Sequence, residues 1–234
     1  MTLVTIVQAR MGSTRLPGKV LLKVGERTIL EHVLHRIELC PADTGTVVVA
    51  TSVHLWDDEI ADLCHSLGVE CYRSSEHDVL NRYYQAALRY GAERVLRVTA
   101  DCPLLCPELT AAILAAAPGP DYVTFDNVPL GLTPELITMP ALYRCWHQAW
   151  LRDDREHVTL YALNHGGFDL RFLQPDDRLF DRHHWRLTID TTQDLRLLQS
   201  LYRATSGRVF EMSTEEIVAM VDRDVLMLAL AEAA

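Results

Sequence analysis

The stretch VTIVQARMGSTRLPGK, residues 4–19, decides the reading of the chain. The apolar run over residues 3–7 has the length and β-branched content of a buried strand. It breaks into a loop carrying Arg10, Gly12, Ser13, Arg15, Gly18 and Lys19. Such a loop suits a polyphosphate. Gly12 and Gly18 admit backbone conformations that other residues resist, so successive N–H groups can turn toward one anion. Arg10 and Arg15 offer planar forks for phosphate oxygens. Lys19 adds a point charge, and the Ser13 and Thr14 hydroxyls can donate. The first 25 residues hold Arg10, Arg15, Lys19 and Lys23 and no acid, a formal charge of +4 in a chain of −10. A cationic pocket on an anionic protein favours a small anionic ligand over a long nucleic acid. The spacing does not fit a P-loop: Gly12 and Gly18 enclose five residues, and Val20 follows Lys19, where that motif needs four and then Ser or Thr. A basic surface turn without a ligand is the alternative that spacing alone leaves open.

Outward from that loop, strand and helix alternate. Thr28 and Glu31 form a capping box for a helix whose apolar face is Ile29, Val33, Leu34 and Ile37. TVVVAT (46–51) reads as a strand buried on both faces. A helix over 57–67 stops at Gly68. Strand 69–72, helix 78–90, strand 94–99, helix 107–117 and strand 122–125 follow. Strands separated by helices of this length predict parallel pairing with right-handed crossovers, an α/β sheet whose ligand lies beyond the strand carboxyl ends. Residues 8–19, Thr51, Ser52, 73–78 and Asp101 therefore converge on one crevice. The rhythm breaks over 126–184, which holds Pro129, Gly131 and Pro134, two helical stretches and a strand-like run over 169–173. WRLTID (185–190) is expected to resume a strand, a helix to run from Thr191 to Leu201, and Ser213 with Glu216 to cap one or two covering helices. Residues 126–184 read as an insertion that lines the site or makes a dimer contact, within a single domain of 1–234.

Asp101 and Asp190 each end a predicted strand, so both fall at one rim of the sheet. Two carboxylates about 4 Å apart repel by about 4 kcal/mol at an effective dielectric near 20, so the pair calls for a cation or a shared proton. Beside a polyphosphate pocket, oxygen ligands of this kind fit Mg²⁺. The alternative is a turn residue at Asp101 and a helix cap at Asp190. At 49% hydrophobic residues the chain can bury an ordinary core. No apolar stretch is long enough for a membrane span, and no secretory leader is expected. The six scattered cysteines form no CxxC pair and read as small buried hydrophobes in a reducing cytoplasm.

Taken together, these residues resemble the CMP-sugar synthetases, the nucleotidyltransferases that make CMP-sialic acid and CMP-Kdo, in the branch named for the spore coat polysaccharide biosynthesis protein F. The segments that carry the resemblance are QARMGSTRLPGK, ATSVHLWDDEI (50–60), SSEHDVLNRYYQAA (74–87), RVTADCPLL (97–105), REHVTLY (155–161) and WRLTIDTTQDL (185–195). They span nearly the whole chain. The resemblance implies a Rossmann-like, mostly parallel sheet of the nucleotide-diphospho-sugar transferase type, with flanking helices and a dimerisation or substrate insertion. It implies CTP and a small sugar-like acceptor as substrates, Mg²⁺ as cofactor, pyrophosphate release, and a cytoplasmic homodimer with no nucleic-acid or membrane partner. Carried over by position, Arg10, Ser13, Arg15 and Lys19 hold the triphosphate beside the backbone of Ala9 and Gly12. Thr51, Ser75, Asp78 and Arg82 belong to the nucleotide set, the last three near base and ribose. Asp101 and Asp190 hold magnesium, and Arg15, Lys19 and Asp101 carry the chemistry. Arg97, Glu135, Arg155, Glu156 and His157 lie where the acceptor binds. A different base or a non-sugar acceptor, a silent binding protein on the same fold, and a glycosyltransferase of related fold are the competing readings. No clear DxD triplet supports the last of these.

Overall fold

The computed structural model describes residues 2–116, 118–175, 182 and 184–232, with side chains as far as Arg223. The last residue of the predicted helix over 107–117, and residues 176–181 and 183 of the 126–184 segment, lie outside the described residues. In chain order the elements that build the site are β1 (Leu3–Gln8), β2 (Lys23–Val24), β3 (Arg27–Thr28), α1 (Ile29–Glu38), β4 (Thr46–Ser52), α2 (Asp58–Leu67), β5 (Glu70–Ser74), α3 (Val79–Arg89), β6 (Arg94–Thr99), α4 (Pro107–Ala115) and β7 (Tyr122–Phe125). They continue with β8 (Glu135–Thr138), α5 (Met139–Gln148), α6 (Arg152–Glu156), α7 (Leu160–Asn164), β9 (Leu170–Leu173), α8 (Thr192–Ala204) and α9 (Thr214–Glu232). Seven strands form one sheet in the order β5-β4-β1-β6-β8-β7-β9. β1, β4, β5 and β6 run parallel, and β8 lies antiparallel between β6 and β7. Strand order reverses at β1, between β4 and β6, which places the ligand crevice of an open α/β sheet at the ends of β1 and β6.

Local chemistry accounts for the elements. Thr28 and Glu31 form the predicted capping box, and Gly68 ends α2 in the left-handed region at φ 68°. Val4 and Ile6 face one packed layer with Val48, Leu80 and Tyr83, while Val7 faces the other with Leu30, Val33 and Ile60. The alternating residues of a fully buried parallel strand are apolar on both faces for this reason.

One expectation is corrected. Residues 185–190 do not form a strand. They run extended, joined to Leu130 by an isolated bridge at Arg186 and to Asp101 by the Ile189 N–H, contacts too scattered to make a strand. Within the 126–184 segment, the strand-like run expected over 169–173 forms β9, and β8 is an added strand that the sequence reading lacks; both join the main sheet. Among the described residues, no helix is long and apolar enough to cross a membrane.

Candidate active site

The loop after β1 is fastened before it presents any charge. Asp57, buried at the start of α2, accepts from Met11 N at 2.8 Å through one oxygen, and from Ser52 N at 3.1 Å and Ser52 Oγ at 2.5 Å through the other. The Met11 carbonyl accepts from Ser13 N at 2.8 Å and Gly18 N at 3.0 Å. Gly18 adopts φ 68°, where an L side chain is strained. Gly12 is different. It lies outside the left-handed region, and a Cβ there would meet Glu76 Oε1 at 3.3 Å, so close approach is what favours glycine. Among the described residues, the N–H groups of Gly12, Thr14 and Arg15 make no hydrogen bond.

At the end of the loop, Lys19 joins the two aspartates. Its Nζ donates to Asp101 Oδ2 at 2.6 Å and to Asp190 Oδ1 at 2.9 Å. Asp101 stands two residues past β6. Asp190 reaches it because the extended 185–190 passage is pinned to two loops. Leu187 N donates to Leu130 O at 2.8 Å, Leu130 N to Trp185 O at 3.0 Å, and Ile189 N to Asp101 O at 2.8 Å. Gly131 permits that passage: a Cβ there would sit 3.0 Å from Leu187 C and from Thr188. The cap of α8 is Thr191, with Asp194 completing its capping box, so Asp190 is free of that duty. Arg15 contacts Asp190 Oδ1 at 2.9 Å, while Arg186 and Thr188 donate to Oδ2 at 2.7 and 3.2 Å. Burial pushes the Asp190 carboxyl upward, but the hydrogen bond and charge of Lys19, with Arg186 and Arg15, outweigh it and hold the group at about 2.

Arg15, Lys19, Asp101 and Asp190 line a cavity of about 310 Å³ together with Gln8, Arg10, Ser13, Thr14, Thr99, Glu156 and His157. Of the expected residues, Arg10, Ser13, Arg15, Lys19, Asp101, Asp190, Glu156 and His157 therefore come together, and Arg10 contacts Glu156 at 3.2 Å. Ala9 is buried behind the loop and donates its N–H to Ala50 O.

The rest of the expected set is placed elsewhere. Thr51 is wholly buried in β4. Ser75, Asp78 and Arg82 cluster at the start of α3 and do not line that cavity. Asp78 caps α3 and takes both Arg155 Nε at 3.0 Å and Nη2 at 2.5 Å. The other Arg155 nitrogen donates to the Trp146 and Ala149 carbonyls, so this guanidinium fastens α3 to the 149–156 segment. Arg82 is fully buried; its Nη1 donates to Ser75 O, while Nε and Nη2 have no partner among the described residues. Arg97 and Glu135 pair at 2.5 Å and line an adjoining chamber of about 500 Å³ that also contains Asp101, Asp190 and His157. Asp57 and Arg186 were not expected. Asp57 looked like one more acid at a helix start, and the Arg186 contact depends on a passage that sequence periodicity misassigned. Burial pushes the Cys106 thiol up to about 12, and burial with the Asp101 charge pushes Cys102 higher still, so neither is a thiolate nucleophile.

A sheet that reverses order at β1, a basic loop there and the Lys19 ammonium held between two aspartates form a crevice suited to the phosphates of a nucleotide. The cytidylyltransferase family model matches residues 4–217, and the chain belongs to that family. It is similar to the spore coat polysaccharide biosynthesis protein SpsF of Bacillus subtilis, with 34% identity covering 94% of this chain and 93% of that one. A cytidylyltransferase structure from Leptospira borgpetersenii superposes with a TM-score of 0.86 at 28% identity, covering 96% and 95% of the two chains. CMP:2-keto-3-deoxy-manno-octonic acid synthetase complexed with CTP has a TM-score of 0.67 at 16% identity, covering 88% and 100%, a likeness of fold.

Proposed function

We propose that this protein transfers CMP from CTP to a hydroxyl of a sugar-like acceptor and releases pyrophosphate. The observation that carries the reading is the Lys19 ammonium seated on both Asp101 and Asp190 at the mouth of the basic loop. An ammonium ion already accepted by both carboxylates marks a place for a cation, and hard oxygen donors suit Mg²⁺. Among the described residues no cluster of three or more His, Cys, Asp or Glu gathers, so a magnesium ion on Asp101 and Asp190 would complete its shell with phosphate and water. When bound, the ion supplies charge neutralisation on the phosphate oxygens. The chain's own part is positioning and electrostatics. Arg10 and Arg15 grip the triphosphate, the free N–H groups of the loop orient it, and Lys19 stabilises charge on the departing pyrophosphate. The chamber beside Arg97 and Glu135 takes the acceptor.

The family match, the name of the Bacillus subtilis relative and the CTP bound to the more distant fold relative support CTP and a polysaccharide-building role. Six free thiols fit a reducing cytoplasm. Exposed large hydrophobics in the 126–184 segment, Tyr143, Trp150, Leu151 and Phe172, favour association of copies of this chain, and sedimentation of the full chain would test a homodimer. The functional test is pyrophosphate release from CTP, UTP, ATP and GTP with Mg²⁺ or a chelator. Neutral sugars, polyols and sugar acids serve as acceptors. Release from CTP alone, dependent on an acceptor and abolished by the chelator, is expected. Preference for another base would overturn the CTP assignment, and CTP binding without any release would overturn catalysis.

A further inference from the structure

His157 sits on a strained turn. Val158 has φ 56° and is fully buried, a conformation a β-branched residue adopts only when its surroundings impose it. Thr159 N donates to His157 O at 2.5 Å, so residues 157–159 close the rare γ-turn with positive φ at its centre. The surroundings that impose it can be named. Thr159 Oγ1 donates to Glu135 Oε2 at 3.0 Å. Glu135 also accepts from Arg97 at 2.5 Å and from the Tyr122 hydroxyl at 2.8 Å. These three anchors come from the neighbouring strands β8, β6 and β7. On the other side, His157 N donates to Asp153 O at 2.8 Å, Arg155 is fastened to Asp78, and Glu156 contacts Arg10. The backbone of His157 is thus clamped from both directions. Its imidazole, by contrast, makes no hydrogen bond among the described residues and is exposed.

The place where that ring is held has a chemical meaning. Three cavities meet there. The nucleotide-side cavity contains Arg10, Lys19, Asp101 and Asp190. The adjoining chamber contains Thr124, Thr133 and Thr188. A third, of about 470 Å³, contains Asp153, Leu160 and Leu163. Among the described lining residues His157 is the one common to all three. A ring whose backbone is fixed and whose nitrogens are unengaged, standing where these cavities meet, is placed to accept a proton from a hydroxyl bound there.

We propose that His157 is a catalytic residue that takes the proton of the acceptor hydroxyl as its oxygen attacks the α-phosphorus. This rests on the transfer reading above. The new O–P bond forms, the bond from phosphorus to the pyrophosphate oxygen breaks and its electron pair leaves with pyrophosphate, and the hydroxyl proton passes to an imidazole nitrogen. Thr159, Glu135 and Arg97 are positioning residues that act through the turn.

The test measures full-length wild type, His157→Ala, His157→Gln, Thr159→Val and the double variant carrying both His157→Ala and Thr159→Val, with Asp101→Ala as control. The probes are CTP, Mg²⁺ and whichever of the panel acceptors reacts, or water in slow CTP hydrolysis if none does. Each His157 variant should lose about 10²-fold or more in kcat with CTP affinity unchanged by calorimetry. Added imidazole should restore turnover to His157→Ala. Thr159→Val should slow the wild type about tenfold, in line with the cost of a small misplacement of a catalytic group, yet have no effect on top of His157→Ala. Full turnover of both His157 variants would overturn the proposal while leaving the transfer reading intact. So would a loss that imidazole cannot rescue and that matches a loss of CTP affinity. A wild type as inactive as Asp101→Ala would instead overturn the transfer reading itself.

Discussion

The two sides of the crevice use the same residue types for opposite ends. On the side proposed for the nucleotide, Lys19, Arg15 and Arg186 crowd onto Asp190, and Lys19 also holds Asp101. On the proposed reading these groups are exchangeable: a divalent cation would replace Lys19 on the carboxylates, and the triphosphate would replace Asp190 at the arginines. On the side proposed for the acceptor, Arg97 is committed to Glu135 and Arg155 to Asp78, each reinforced by further donors or carbonyls. Those charges fasten strands and helices. The arginines therefore divide by whether their partner joins elements of the fold or lines the open cavity, and the second kind is the one proposed to be poised for substrate.

The sharpest way to break this contrast is to remove one carboxylate from each side. Asp101→Ala should reduce pyrophosphate release by about 10³-fold or more while a denaturant titration gives near wild-type stability, since Lys19 keeps Asp190 as a partner. Loss of folding without a specific loss of turnover would place Asp101 with the fasteners. Glu135→Ala should do the reverse in the denaturation experiment. It leaves a largely covered Arg97 without its carboxylate, a loss expected to lie between the ~1 kcal/mol of an exposed pair and the ~3–5 kcal/mol of a fully buried one. A change below about 1 kcal/mol, the range of an exposed pair, would move Glu135 to the poised side.

Smaller effects sharpen the comparison within the loop. Gly18→Ala should cost about 1–2 kcal/mol because of its left-handed backbone, measured by the same titration. Gly12→Ala should leave stability almost unchanged and tell on CTP affinity instead, as its Cβ crowds Glu76. Equal costs at the two glycines would contradict this division. The smallest effect is in acid. The folded Asp190 is held at about 2, below the ordinary 3.8. Its contribution is complete above the higher value and disappears as pH falls through the lower one. In metal-free protein, Lys19→Met should therefore flatten the fall in stability between those two pH values. An unchanged acid limb would argue that Lys19 does not set the Asp190 titration.

Sequence made the first half legible because its signals are local. β-Branched runs mark β1 and β4, Thr28 with Glu31 starts α1, and Gly68 ends α2. The pairing of Asp101 with Asp190 was also legible, although the route was not. A passage pinned by isolated hydrogen bonds has the same alternating apolar pattern as a strand, so WRLTID reads as one. β8 was missed because ELIT is four residues long between Pro134 and Pro140, too short for periodicity to register. The fate of Arg155 was illegible for another reason. Its partner Asp78 lies 77 residues away, and residue type alone does not tell a fastener from a ligand. The positive φ of Val158 had no sequence signal at all, since it is imposed on a residue that disfavours it.

The central claim is that Asp101 and Asp190 form one cation site that serves the nucleotide. Calorimetric titration of CTP, with and without Mg²⁺, into wild type and into the protein carrying both Asp101→Asn and Asp190→Asn tests it most directly. Tight, magnesium-dependent binding is predicted for the wild type, and weak binding indifferent to magnesium for the double variant. Equal affinity of the two proteins for CTP in magnesium would contradict it.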